Sequence, residues 1–227
     1  MWRKLNPRRQ FIASLLVAVV VCVGLLMFGS LDRGSDAFSY LLWNIFLAML
    51  PLVFALRLAY VLRHKRWSAW TSIGWSLLWL LFLPNSFYMI SDYIHLKEVS
   101  RADVLYNAVM FTSFIYLGVL VGFCSLYLVH IQLRRRLQAG WAALWIAATL
   151  FICSCAIYIG RDLRWNSWDV LFNPFGLLFD ISDRLLRPDA YPEMIVTVVI
   201  FFILLGSLYA VFYSGAKLLR HAEHTKN

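Results

Sequence analysis

The sequence predicts an all-α, polytopic integral membrane protein, with six transmembrane helices and short interfacial helices on its outer face. Three observations carry that prediction. The 227 residues are 62% hydrophobic and only 15% charged, with a mean hydropathy of +0.70. A soluble domain carries roughly 45–50% apolar residues. Six apolar stretches are long enough, as helix, to cross a hydrocarbon core of about 30 Å. The charges lie between those stretches, with basic residues clustered on alternate connections.

The six spans cover residues 11–30, 38–62, 68–83, 104–131, 139–159 and 194–216, which makes residues 1–227 a single six-helix domain. The first exceeds the roughly 7–15 apolar residues of a signal peptide and is not followed by a small-x-small cleavage site, so it reads as a retained anchor. Pro51 removes a backbone donor inside the second span and is expected to kink it. Arg57 lies near the end of that span, within reach of the interface through its long stem. Trp67 and Trp70 fall at one predicted interface and Trp165 and Trp168 at the other, as anchoring belts do. Gly118 and Gly122 in span 4, and Gly206, Ala210 and Ser214 in span 6, predict close helix contacts within one chain. The four cysteines, Cys22, Cys124, Cys153 and Cys155, all sit in apolar runs. There they act as small hydrophobes, and no disulfide framework follows.

Charge sets the orientation. Fourteen of the 21 basic residues lie in the two terminal segments and in the 2–3 and 4–5 connections, with a single acid, Glu223. The opposite loops hold the other seven bases and eleven of the twelve acids. By the positive-inside rule both termini are cytoplasmic. The net charge of +9 does not point to nucleic acid, because no basic helix or base-stacking motif accompanies it.

The outer loops hold the polar motifs. Pro84 is expected to end span 3 and Asn85 to cap a new short segment over 86–97, interfacial or re-entrant. On a helix Asp92 and His95 share a face at i, i+3. His95 is the only outer histidine, since His64, His130, His221 and His224 fall on the cytoplasmic side. The pair admits three readings: an acid–base couple, two ligands of a metal, or a polar pair that caps the segment and fixes its depth. No metal site is assigned, because a site needs at least one more ligand, and the sequence leaves any cofactor unknown.

The third outer loop, 160–193, is the longest. Continuing span 5 as helix puts Asp162, Asn166 and Asp169 on one stripe, with Arg161, Arg164, Trp165 and Trp168 on neighbouring faces. Arginine beside tryptophan suits an anionic lipid head group, and equally suits an interfacial anchor with self-neutralised charges. Asn173-Pro174 then opens an amphipathic helix over 174–187. Leu178, Ile181 and Leu185 share one of its faces, and Asp180–Arg184 and Asp183–Arg187 form i, i+4 pairs. Lying along the interface, it serves as a lid or as a simple return to span 6.

The run Leu83-Pro84-Asn85-Ser86-Phe87-Tyr88 to Asp92-Tyr93-Ile94-His95-Leu96, with Gly160-Arg161-Asp162-Leu163-Arg164-Trp165-Asn166-Ser167-Trp168-Asp169, resembles the bacterial DUF1361 family. These are small polytopic membrane proteins of unknown function. The resemblance covers span 2 to span 6 and implies a bacterial membrane protein without implying an activity. The family pattern has Ala-Pro after the asparagine, where this chain has Ser86-Phe87.

Three function classes follow. An enzyme at the outer leaflet would use Asp92 and His95 for chemistry on an anionic lipid or envelope intermediate. Asn85, Tyr88, Arg161, Arg164, Trp165, Asn166, Trp168 and Asp169 would bind it. A structural or assembly protein would use the same motifs to hold a partner. A transporter is less favoured, because the mid-span stretches lack Asp, Glu and Lys. There is no Gly-x-Ser-x-Gly elbow, His-Glu-x-x-His or phosphate-cradling glycine loop. The bilayer is the one partner common to all three.

Overall fold

The computed structural model describes residues 6–33, 38–98, 103–163, 165 and 172–224. Each apolar run becomes a helix, because in hydrocarbon every backbone donor and acceptor must find its partner within the segment. Helix α1 spans Pro7–Arg33, α2 Tyr40–Val61, α3 Trp70–Tyr88, α4 Val104–Arg134 and α5 Ala139–Asp162. After a short α6, Pro174–Leu186, the long α7 runs over Pro192–His224. Among the described residues there is no strand, and six helices are long and apolar enough to cross a membrane. The chain is a multi-pass membrane protein, and an even number of crossings puts both termini at one end of the bundle.

Helix α4 is the central element, lined by the buried side chains of Phe111, Phe114, Leu117, Val121 and Leu126. Helices α2 and α3 pack on it and on each other, α5 packs on α3, and α7 on α5. Helix α1 is peripheral, held to α4 through Tyr106, whose hydroxyl donates to the Leu25 carbonyl and whose ring meets Phe28 at 5.9 Å. The outward faces carry Val20, Trp70, Tyr116, Trp145 and Val211, all more than half exposed. An apolar surface of that extent belongs in lipid.

The Gly-x-x-x-Gly of α4 packs within the chain, as expected. A Cβ on Gly118 would lie 2.8 Å from Met89 Sδ and 2.9 Å from the Ser86 carbonyl oxygen. One on Gly122 would lie 2.8 Å from Ser86 Cβ and 2.9 Å from Phe87 Cε1. The two glycines thus let the end of α3 touch the backbone of α4. Among the described residues nothing lies within 4 Å of a Cβ on Gly206, so the α7 stripe makes no such close contact at that position.

Two expectations need correction. Pro84 does not end the third helix, and Asn85 does not cap a new one. Helix α3 continues through both to Tyr88, and Asn85 Nδ2 donates to the Phe82 carbonyl at 3.0 Å, within the helix. The chain then tightens into a 3-10 segment, Met89–Glu98. Pro84 costs α3 one backbone bond, the one to the Leu80 carbonyl a turn earlier, and the helix runs on through it. Nor does α5 continue past Asp162. Leu163 is its cap and Trp165 N–H turns back to the Ile159 carbonyl at 3.4 Å, while Asn166 and Asp169, the rest of the expected stripe, lie outside the described residues.

Candidate functional site

A cavity of about 420 Å³ opens at the end of the bundle away from the termini. Its walls come from four helices and the 3-10 segment. Helix α3 contributes Pro84, Asn85 and Tyr88, the 3-10 segment Asp92 and His95, and α5 Ile159 and Gly160. Trp165 and Leu177 of α6 close one side. Of the expected site residues, the cavity therefore gathers Asn85, Tyr88, Asp92, His95 and Trp165. Arg161 does not line it but lies close enough to Tyr88 to interact electrostatically. Arg164, Asn166, Trp168 and Asp169 lie outside the described residues.

Asp92 is the polar centre. It is 4% exposed, and its Oδ2 accepts from Asn44 Nδ2 at 3.4 Å. In a 3-10 helix, residues three apart eclipse one another. Tightening Met89–Glu98 into this form therefore places His95 directly over Asp92, closer in register than an α-helix would. The His95 ring packs against Tyr40 with centroids 5.5 Å apart. Ser91 Oγ donates to the Tyr88 carbonyl at 2.7 Å, and Tyr93 and Thr112 share a hydrogen bond of 2.7 Å with α4. These contacts tie the segment on both sides. Among the described residues no group of three His, Cys, Asp or Glu side chains is placed to hold a metal ion.

Gly160 sets the opposite wall. A Cβ there would come within 3.2 Å of the Tyr88 ring, so a larger residue would push that ring back by a few tenths of an ångström. Trp165 joins the wall to α6, its Nε1 donating to Asp180 Oδ2 at 2.9 Å. The cap on α6 is as expected: Asn173 Oδ1 accepts from Gly176 N–H at 3.2 Å, with Pro174 at the first helical position. The expected Asp183–Arg187 pair forms at 3.5 Å. Arg184 instead donates to the Asp180 carbonyl at 3.0 Å and covers the Tyr191 ring at 4.8 Å, which leaves the Asp180 carboxylate to Trp165. Asp183 accepts from the Tyr191 hydroxyl at 3.0 Å and holds that phenol above its ordinary pKa.

Trp165→Phe removes the Trp165–Asp180 bond and leaves the ring volume largely in place. It is expected to raise the rate at which a cysteine placed at Leu177 reacts with a soluble maleimide by about five-fold, equal to the loss of one hydrogen bond of roughly 1 kcal/mol. An unchanged rate would show that α6 is held over the cavity by other contacts.

The wall that sequence reasoning missed is α2: Tyr40, Trp43, Asn44 and Leu47. The available signal was Asn44, which with Arg57 is the only amide or charged side chain in that helix. A lone amide in an apolar span usually seeks a partner on a neighbouring helix.

An all-helical bundle with six membrane-length helices defines a polytopic integral membrane protein. Within that class, the chain belongs to the family described as protein of unknown function (DUF1361), whose model matches residues 43–208. That range holds every cavity residue named above except Tyr40. No curated protein and no solved structure matches the chain.

Proposed function

We propose that the cavity binds an amphiphile with an anionic head group, drawn from the outer leaflet or the cell envelope, and that Asp92 and His95 act on it as an acid–base pair. The observation that carries this reading is a carboxylate only 4% exposed, stacked in register with a histidine and lining a cavity. Ionisable groups at membrane depth are costly and are kept where function needs them. Arg161 supplies positive charge near the rim, and the apolar wall of Trp43, Leu47 and Ile159 suits an acyl or prenyl chain. The exposed Phe172, Phe175, Phe179 and Leu186 form an apolar stripe on and beside α6, fit to rest on lipid at the cavity mouth.

A second reading, an assembly protein, draws support from the Asn44–Asp92 bond, because that contact also fastens α2 to the 3-10 segment. Transport draws little. On the terminus side of the cavity, Leu58, Trp79, Leu83, Phe87, Leu126, Leu150 and Cys153 pack as one apolar cluster across α2, α3, α4 and α5. A polar path would have to cross it.

Lipid profiling of a deletion strain separates the first two readings. A species that accumulates in the deletion should persist when the strain is rescued with Asp92→Asn or His95→Ala, and vanish with wild type. Full rescue by both variants would remove the enzyme reading and leave assembly.

The orientation follows from the charge distribution: termini cytoplasmic, cavity facing outward, in the cytoplasmic membrane. Reporter fusions at residues 65 and 135 should score cytoplasmic, and fusions at 97 and 180 external. An internal score at 97 or 180 would overturn the outward-facing cavity.

A further inference from the structure

The end of the bundle that carries the termini has its own cavity, of about 350 Å³, between the last turns of α4 and α7. Four of its lining residues are cations: Arg134 and Arg135 from α4, Lys217 and Arg220 from α7. Tyr127 and Tyr213 line it beside them. Basic residues on this side are expected from membrane orientation, and cations near a helix C-terminus offset its dipole. Neither effect requires cations from two helices to face one concavity, where they repel each other.

The convergence is built in. An aromatic seam fastens the two helices just below the cavity. The His130 ring stacks on Tyr213 at 4.5 Å, and His130 Nδ1 lies 2.9 Å from the Tyr209 hydroxyl oxygen. Phe123 meets Tyr209 and Phe212 at 5.6 and 5.8 Å, and Tyr127 meets Phe212 and Tyr213 at 6.1 and 6.0 Å. With the helices fixed, the four cations cannot separate by moving the backbone. Two of them donate to neutral acceptors: Arg220 Nη1 to the Tyr127 hydroxyl at 3.4 Å and Arg135 Nη1 to Gln132 Oε1 at 3.3 Å. The sequence supplies a single carboxylate, Glu223, to this whole side.

We propose that this cleft is a binding site for a phosphate group, with the head group of an anionic phospholipid in the adjoining leaflet as its source. Guanidinium forks bind phosphate oxygens in pairs, and basic pockets between membrane helices on the cytoplasmic side suit acidic head groups. Leu218 and Leu219, 71% and 69% exposed, flank the cations on α7 and offer acyl chains an apolar surface. The site is separate from the Asp92 cavity and does not depend on any activity there.

The test uses the full chain in neutral-detergent micelles, titrated with phosphatidylglycerol, phosphatidylcholine or inorganic phosphate, with the thermal unfolding midpoint as the readout. Phosphatidylglycerol should raise the midpoint and phosphatidylcholine should not. Arg134→Gln/Lys217→Gln should weaken the phosphatidylglycerol response about 25-fold, at about five-fold per cation removed. Arg63→Gln/Lys65→Gln, on the same side but outside the cleft, should change it less than about two-fold, because exposed charges at that distance are screened. Arg135→Gln, a change at an exposed side chain, should cost about five-fold and carries the test where the double variant fails to fold. Equal losses in the cleft and control variants, or no loss in either cleft variant, would overturn the proposal. Competition by millimolar inorganic phosphate would place a soluble phosphate in the same site. Saturation by phosphatidylglycerol undisturbed by inorganic phosphate would assign the site to lipid.

Discussion

Gly118→Val is expected to lower the stability of the detergent-solubilised protein by about 1–3 kcal/mol, the usual cost of forcing extra methyl groups into a packed interior. The reason is specific to its neighbours. Met89 Sδ, 2.8 Å from the position of the new Cβ, is the flexible end of a side chain and can turn away. The Ser86 carbonyl oxygen at 2.9 Å cannot, because it belongs to the backbone of α3. Helix α3 must therefore move off α4, and with it the Ser86 hydroxyl, which donates to the Ala48 carbonyl of α2 at 2.9 Å. The disturbance reaches three helices and displaces the 3-10 segment that carries Asp92. Gly140→Ala is the matching control, since nothing lies within 4 Å of its Cβ, and alanine in a helix is favoured over glycine by about 0.5–1 kcal/mol. Thermal unfolding of the two variants beside wild type measures the difference. A Gly118→Val protein as stable as Gly140→Ala would show that α3 and α4 do not meet as closely as described.

Replacing Asp92 has the other large expected effect, and the replacement chosen decides what is measured. Asp92→Asn keeps an oxygen able to accept from Asn44 Nδ2, and with it the link between α2 and the 3-10 segment. Stability should stay near wild type, while turnover of the head group falls by about 10²–10⁴, the usual worth of a positioned proton donor or acceptor. Asp92→Leu removes both roles. It leaves a half-buried amide without its acceptor, at a cost of about 1–3 kcal/mol, and it abolishes turnover as well. If Asp92→Asn is fully active and only Asp92→Leu fails, the carboxylate is a structural acceptor. Measuring thermal unfolding and lipid turnover on both variants separates the two roles.

The number and order of the membrane helices were legible in the sequence because each depends only on a local run of apolar residues. The α6 cap was legible for a similar reason: Asn173 and Pro174 act on their own turn. Pro84 misled because it was judged by the rule for water, where a lost backbone bond is easily replaced by solvent. Here the loss is confined to one bond, to the Leu80 carbonyl, and α3 runs on to Tyr88. The 3-10 form of Met89–Glu98 was not legible, since it arises from packing on both sides of the segment. Helix rotation was the other hidden quantity. Helix α2 is apolar apart from Asn44 and Arg57, so the one lone amide was all that marked which face meets Asp92. The α4–α7 cleft was hidden for the same reason. Arg134, Arg135, Lys217 and Arg220 appeared only as orientation signals, because the aromatic seam that brings them together joins residues 79 or more positions apart, such as His130 and Tyr209.

The apolar cluster of Leu58, Trp79, Phe87, Leu126 and Leu150 lies between the two cavities, so Asp92 and Arg134 sit at opposite ends of the bundle. Energies of changes at well-separated sites add to within about 0.3–0.5 kcal/mol. A variant joining Asp92→Asn to Arg134→Gln should therefore show the sum of the two single effects. A bilayer whose leaflets differ in composition would then be sensed at each face independently, as two uncoupled titrations.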